Sequence, residues 1–123
     1  MDRKAEEALE IARRCAMALP MATEKLSHGE PTWFVDGKKS FALFCNYHHG
    51  MRLGVWMAAP LGVQEMLIET DPDKFYRPPY VGPRGWIGVN LDKDIDEEEL
   101  AEMLKEAYRH VAPPKYKALI SDL

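Results

Sequence analysis

Residues 30–59 contain three apolar, aromatic-rich runs that are separated by two short breaks, each containing glycine. The first break is Asp36-Gly37, and the second spans residues 46–50. An Asp-Gly pair between two such runs favours a tight hairpin, because a type I′ turn needs positive φ at both central residues. The stretch therefore predicts an antiparallel meander in the middle of the chain.

Alternation by two then assigns the side chains of the meander to the two faces of its sheet. It places Phe41, Leu43 and Cys45 together on the face towards the core. In the next strand it places Arg52 and Trp56 on the opposite face from the core positions. A further run at residues 86–91 alternates in the same way, whereas the run at 75–80 is broken by two prolines and is predicted to lie at an edge.

Amphipathic helices flank these strands. Residues 3–19 place small apolar side chains along one stripe, and Pro20 ends the helix. Near the other terminus Asp96 is predicted as the N-cap of a long helix, with Glu99 in the capping-box position. A shorter helix is predicted at residues 63–70. The order of elements predicts one α+β domain over residues 1–123, an antiparallel sheet of five to six strands with the N-terminal and C-terminal helices packed on one face.

The charge of the chain limits the kinds of partner that it can bind. A formal net charge of −4 argues against a protein that coats nucleic acid with its whole surface. The charge is uneven, however, with four bases and two acids in residues 72–93 against four bases and eight acids in residues 94–123. No apolar run approaches the ~18 residues of a membrane helix, and the N-terminus has no secretory signal, so we expect a cytoplasmic protein without a membrane partner.

The sequence contains no catalytic, cofactor or metal motif. It lacks GxSxG, HExxH, GxGxxG and Walker patterns, so no catalytic residue and no cofactor are predicted. His48 and His49 are adjacent and would point to opposite faces of a strand, which disfavours a shared metal ion. Cys15 and Cys45 have no CxxC spacing and are predicted to be buried free thiols.

Four stretches occur in a characteristic order along the chain: SHGEPTWF at 27–34, GKKSFA at 37–42, PYVG at 79–82, and the tail from 99 to AYRHVAP at 107–113. In this order and spacing the sequence resembles the MmcQ/YjbR family over nearly its whole length. The resemblance implies a helix–sheet–helix domain similar in layout to secretion-chaperone folds, and DNA binding through paired hairpins called a double wing. It implies no reaction. The family commonly has Leu-Pro-Gly after the first helix, where this chain has Leu19-Pro20-Met21, so the conformation of that corner is left open.

A winged DNA-binding protein needs cations at its hairpin tips, because phosphate contacts supply most of the affinity. The candidate wing cations are Lys38, Lys39, Lys74, Arg77 and Arg84. Solvated lysines and arginines that protect strand edges are the alternative interpretation. DNA is therefore the first partner that we expect.

The face of the sheet away from the helices is the second candidate site. Alternation predicts an open-face platform there, with two indoles lying over glycines, formed by Arg52, Trp56, Trp86 and Asn90. Such a surface suits a homodimer contact, a protein partner or a stacked planar ligand. The alternative is that neighbours such as Trp33 and Tyr80 half-cover the two rings. A small-molecule site or an enzyme is the third hypothesis.

Overall fold

The computed structural model describes residues 2–47 and 52–120 of the chain. Four helices and six strands follow one another as α1 Arg3–Met17, β1 Ala22–Ser27, β2 Glu30–Val35, β3 Lys39–Cys45, β4 Gly54–Met57, α2 Val63–Thr70, β5 Phe75–Tyr76, β6 Ile87–Asn90, α3 Glu97–Val111 and α4 Pro114–Lys117. A 3-10 turn at Gly82–Arg84 lies between β5 and β6.

All six strands form one antiparallel sheet in the order β1-β2-β3-β4-β6-β5. The predicted α+β class and the six-stranded sheet are confirmed. The strand expected at residues 75–80 is shorter than predicted, since β5 ends at Tyr76 and Pro78-Pro79 cannot donate ladder hydrogen bonds. The predicted break at residues 46–50 lies partly outside the described residues.

Helices α1 and α3 pack on one face of the sheet, as the sequence predicts. The Tyr108 ring of α3 meets the Phe41 ring edge-on at 5.5 Å between centroids. On α1, the Arg13 guanidinium donates two hydrogen bonds to Glu24, at 2.8 and 2.9 Å. Glu24 also accepts the indole N–H of the fully buried Trp33 at 2.8 Å, so one carboxylate ties α1 to the sheet.

A β-bulge makes one sequence prediction wrong. Trp33 pairs with Ala42 and Phe34 pairs with Ser40, so Phe41 is an extra residue in β3 and its side chain turns to the helix face. Beyond the bulge Leu43 and Cys45 lie on the opposite face, where they line a cavity. Phe41 therefore does not share a face with Leu43 and Cys45.

The caps of the two long helices form largely as the sequence predicts. Asp2 accepts the Ala5 N–H at 2.7 Å at the start of α1. Asp96 accepts the Glu99 N–H at 3.1 Å at the start of α3. The Glu99 carboxylate forms an ion pair with Lys74 of the sheet. It thus links α3 to the segment that immediately precedes β5.

Residue 21, at the corner after α1, has a backbone conformation that is typical of glycine, although the residue is a methionine. Met21 has φ of +58°, in the left-handed region. Its carbonyl accepts the Asp36 N–H at 2.8 Å, and the neighbouring Pro20 carbonyl accepts the Tyr108 hydroxyl at 2.5 Å. Contacts from the hairpin and from α3 therefore hold this corner in place, with a strained non-glycine residue at position 21.

Candidate functional site

The tip of the β2–β3 hairpin presents two lysines to solvent. Asp36 and Gly37 have φ of +52° and +67°, and the Lys38 N–H donates to the Val35 carbonyl at 3.0 Å, as expected for a type I′ turn. Lys38 and Lys39 follow this turn directly and are both exposed. The tight turn thus places two exposed lysines at the end of the sheet, with the Lys38 ammonium 3.9 Å from the Asp36 carboxylate.

The connection between β5 and β6 carries two arginines. The Arg84 guanidinium lies over the Trp86 ring at 5.0 Å. Arg77 packs its side chain where a Cβ on Gly82 would come within 2.8 Å, and its Nη1 lies 3.4 Å from Gln64 Oε1. Both residues are exposed, and these neighbours orient their side chains.

Buried Gln64 of α2 fixes this connection to the sheet. Its Nε2 donates to the carbonyls of Gly82 and Trp86, at 3.0 and 2.6 Å. A single side chain from another element therefore holds the segment that positions Arg77 and Arg84. Only Gln and Asn present both an amide donor and an amide acceptor, which suits a site that must satisfy backbone carbonyls and a guanidinium together.

Strand register brings four of the five predicted cations to one end of the sheet. Ala42 pairs with Met57, and Met57 pairs with Ile87, so the start of β3 and the start of β6 lie at the same end. Arg77 follows the end of β5, and Arg84 precedes β6, at that end. We call Lys38, Lys39, Arg77 and Arg84, with Lys115 described below, the cationic end.

Lys74 does not belong to this group. Its carbonyl accepts the Asn90 N–H at 2.8 Å, at the opposite end of β6. Its ammonium group forms an ion pair with Glu99 and lies 5.7 Å from the Phe75 ring centre. Lys74 therefore connects the sheet to α3, at the end of the sheet away from the hairpin tip.

A groove beside the hairpin adds a cation that the sequence reasoning missed. It has a volume of about 380 Å³, and its lining includes Lys38, Lys39, His110 and Lys115. The Tyr116 hydroxyl donates to Asp36 at 2.9 Å, which attaches α4 to the turn and brings Lys115 beside the tip. The sequence shows Lys115 after two prolines, but no local pattern places it next to residue 38.

The predicted open-face platform does not form as two exposed indoles. Trp56 and Trp86 are only 4% and 6% exposed. The ring that lies over Gly88 belongs to Tyr76, whose hydroxyl accepts the Trp56 indole N–H at 2.7 Å. Burial raises the pKa of Tyr76. These rings are part of the packed structure and offer no broad aromatic surface to a second chain.

The two polar members of the predicted platform, Arg52 and Asn90, meet at one backbone carbonyl. Arg52 Nη1 and Asn90 Nδ2 both donate to the carbonyl of Asp73, at 3.3 and 2.9 Å. Arg52 also binds the Asp92 carboxylate through two nitrogens, at 2.5 and 2.7 Å, which holds the pKa of Asp92 below its usual value. This cluster lies at the same end as Lys74, and Trp86 lies at the other.

The face of the sheet away from α1 and α3 holds a cavity of about 480 Å³. Leu43, Cys45 and Trp56 line it from the sheet, Glu30 from the start of β2, and Tyr80 and Val81 from the β5–β6 connection. The sequence predicts that this face is open, because residues 81–85 locally indicate only a turn. Nothing local in residues 77–86 indicates that this segment crosses the sheet.

The sequence predicts neither a metal site nor a membrane helix, and the structure can be compared with these two expectations only over the residues that it describes. Within residues 2–47 and 52–120, no three His, Cys, Asp or Glu side chains lie close enough to hold a metal ion. His48 and His49 lie outside the described residues. Among the described helices, none is both long and apolar enough to cross a membrane.

Comparison with known proteins agrees with this architecture. The model of the YjbR family matches residues 17–110. The crystal structure of Deinococcus radiodurans protein DR2400, which has a DUF419 domain, is similar with a TM-score of 0.71 and 19% sequence identity. The similarity covers 89% of this chain and 83% of that chain, and at this identity it shows the fold alone. No curated protein matches the sequence.

Proposed function

The chain belongs to the YjbR family, and we propose that it binds duplex DNA through the cationic end of its sheet. The observation that carries the proposal is the convergence of two separate basic segments at that end. Lys38 and Lys39 come from the β2–β3 hairpin, whereas Arg77 and Arg84 come from the β5–β6 connection. Because phosphate contacts dominate DNA affinity, convergent exposed cations are the minimum that such a surface requires.

The spacing of the two basic segments suits a DNA groove. In the strand order, β3 and β5 are separated by β4 and β6. Three steps of about 4.8 Å separate the axes of β3 and β5 by about 14 Å. The major groove of B-DNA is about 12 Å wide, so each tip can contact the phosphates along one side of it.

The distribution of charge along α3 favours DNA binding at the same end of the molecule. The first turn of α3 contains Glu97, Glu98 and Glu99, and Glu99 is paired with Lys74 at the end away from the hairpin. The last turn contains Arg109 and His110, and His110 lines the groove beside Lys38. The three acidic residues of the first turn of α3 therefore lie at the end of the sheet away from the hairpin. This distribution allows a chain of net charge −4 to keep its other end basic.

Fluorescence anisotropy with a labelled duplex across a salt series tests this proposal. Neutralising Z phosphates gives a slope of log K against log salt of about −0.9Z, so four contacting cations give a slope of about −3.6. Lys38→Glu with Lys39→Glu removes two contacts and reduces the steepness by about 2, besides weakening binding at low salt. The Arg77→Glu, Arg84→Glu pair has a comparable effect.

A charge-matched control separates local contacts from net charge. Lys4 and Lys93 are both exposed. The positive charge of Lys4 helps to lower the pKa of Asp92, which lies at the end of the sheet away from the hairpin. Lys4→Glu with Lys93→Glu changes the net charge by the same amount as the hairpin pair. We expect it to leave the salt slope unchanged. Equal losses in both variants, or no binding by the wild type at low salt, would contradict the proposal.

A further inference from the structure

The groove beside the β2–β3 hairpin gives the cationic end a concave part. Its walls come from three places in the chain, namely the hairpin, the last turn of α3 and the start of α4. Its volume of about 380 Å³ lies within the range of roughly 300–1,000 Å³ that is typical of small-molecule sites. A duplex can lie across such a groove but cannot enter it. The groove therefore suits a ligand smaller than a duplex.

Tyr116 joins the walls of the groove. Its hydroxyl donates to the Asp36 carboxylate of the hairpin turn at 2.9 Å, and its ring centre lies 4.9 Å from the Lys115 ammonium group. The same carboxylate of Asp36 lies 3.9 Å from the Lys38 ammonium group. These contacts hold lysines from the hairpin and from α4 at one groove before any ligand arrives, which reduces the entropy that is lost on binding.

The groove carries a positive charge when all of its described lining groups are counted. Lys38, Lys39 and Lys115 supply three ammonium groups. Asp36 supplies the one carboxylate among the described lining residues, so the net charge is +2 with His110 neutral. The carbonyl end of α3 lies beside His110 and contributes about −0.5 of a charge. More than one positive charge therefore remains for an anionic ligand.

The rest of the lining is largely apolar. Val35 lines the groove from the end of β2, and residues 111–113 line it from the end of α3. An inorganic anion would make no use of these side chains, whereas the organic part of an ester can pack against them. The lining therefore favours an anion that is attached to an organic body.

Two kinds of phosphate ester differ in the charge that they bring to such a site. Each phosphodiester of a DNA backbone carries one negative charge. A phosphate monoester carries about −1.5 to −2 at pH 7 and has three strong acceptor oxygens. The monoester also lies at the end of its molecule, so it can enter a groove that the middle of a duplex cannot. The charge and the shape of the groove both favour the monoester.

We propose that this groove binds a phosphate monoester in preference to a phosphodiester. Lys38, Lys39 and Lys115 bind the phosphate, and residues 111–113 contact the organic body. The ester is the phosphorylated end of a DNA strand or a free nucleotide, since the two present the same group. The inference rests on the proposed function where the ester belongs to DNA, whereas binding of a free nucleotide does not require it.

Fluorescence anisotropy with three stem-loop DNAs tests the DNA end as the ligand. The first has a 5′-phosphate and the second a 5′-hydroxyl. The third has a 5′-hydroxyl and one more nucleotide in its loop, which adds negative charge without a monoester. An exposed ion pair changes affinity by up to about fivefold, so we expect the first to bind about fivefold more tightly than the other two.

Calorimetric titration with free nucleotides tests the same groove without DNA. Deoxyadenosine 5′-monophosphate and deoxyadenosine 3′,5′-cyclic monophosphate share base and sugar, and they differ in having a monoester or a diester. We expect the monoester to bind about fivefold more tightly than the cyclic diester. This preference together with equal binding of the three stem-loops would identify a free nucleotide as the ligand. Absence of a monoester preference in both experiments would overturn the inference, even if duplex DNA binds as proposed.

Variants assign the preference to the groove. Lys38→Ala with Lys115→Ala removes one lysine from each wall and should abolish the monoester preference. Lys93→Ala with Lys117→Ala is the charge-matched control, because both lysines are exposed and neither lines the groove. Tyr116→Phe removes the hydrogen bond to Asp36 and should weaken monoester binding severalfold. Retention of the preference in the first pair, or its loss in the control pair, would contradict the assignment.

Discussion

Substitutions at Met21 test directly whether the backbone is strained at the corner after α1. Met21 has φ of +58° and is held there by the hydrogen bond from the Asp36 N–H to its carbonyl. We predict that Met21→Gly gives a more stable protein than Met21→Ala. At ordinary positions the order is the reverse, because glycine loses more backbone freedom on folding than alanine does.

The expected difference follows from two opposing contributions. A residue with a Cβ in the left-handed region costs roughly 1–2 kcal/mol, which glycine avoids. The extra freedom of glycine in the unfolded chain offsets about 0.4–1 kcal/mol of this. Met21→Gly should therefore exceed Met21→Ala in free energy of unfolding by about 0.5–1 kcal/mol. Comparison with alanine removes the contribution of the methionine side chain itself, which is 49% exposed.

Urea denaturation of four variants measures this difference against an internal control. Glu102 lies in the interior of α3, where Glu102→Gly should be about 1 kcal/mol less stable than Glu102→Ala. The two Gly–Ala differences should have opposite signs. If Met21→Gly is also less stable than Met21→Ala, the corner does not hold the left-handed conformation and the explanation of this position is wrong.

Two further predictions concern the packing of the sheet. A Cβ on Gly88 would lie 2.4 Å from the Tyr76 ring, so Gly88→Ala should lower the free energy of unfolding by about 1–3 kcal/mol. In a double-mutant cycle, this loss should disappear when Tyr76 is also replaced by alanine. The hydrogen bonds from Arg13 hold the pKa of Glu24 below its usual value, so the folded protein binds this proton less readily than the unfolded chain. Glu24→Gln should therefore lower the free energy of unfolding by about 1 kcal/mol above a pH of about 4.3, and this loss should shrink as the pH falls through the lowered pKa. Denaturation at several pH values measures the loss. A loss that grows in acid would contradict the assigned partners.

Local features of the fold could be predicted from the sequence because their causes are local. Asp36-Gly37 forms the expected turn since both residues tolerate positive φ, and Asp96 caps α3 through its own neighbour three residues later. Alternation along β6 likewise needs no knowledge of its partners. The order of such elements was sufficient for the α+β class and the antiparallel sheet.

Features that depend on contacts between distant segments could not be predicted. The bulge at Phe41 exists only relative to β2, so strict alternation placed Leu43 and Cys45 on the same face as Phe41, whereas they lie on the opposite face. Lys115 joins the cationic end because Tyr116 reaches Asp36, which lies 80 positions earlier in the chain. The cavity depends on residues 77–86 crossing the sheet, and Gln64 of α2 helps to fix that path. Four of the five candidate cations named from the sequence therefore lie at one end of the sheet, whereas the cavity on the face away from α1 and α3 had no local signal in the sequence.

Amide chemical-shift mapping during titration with a short duplex tests the claim that the cationic end of the sheet contacts DNA. We expect the largest shifts at Lys38, Lys39, Arg77 and Arg84, with smaller changes at Lys115. The amides of β1–β2 turn residues and of Arg52, at the other end, should remain in place. Shifts centred on that other end, or uniform small shifts over the whole chain, would contradict the claim.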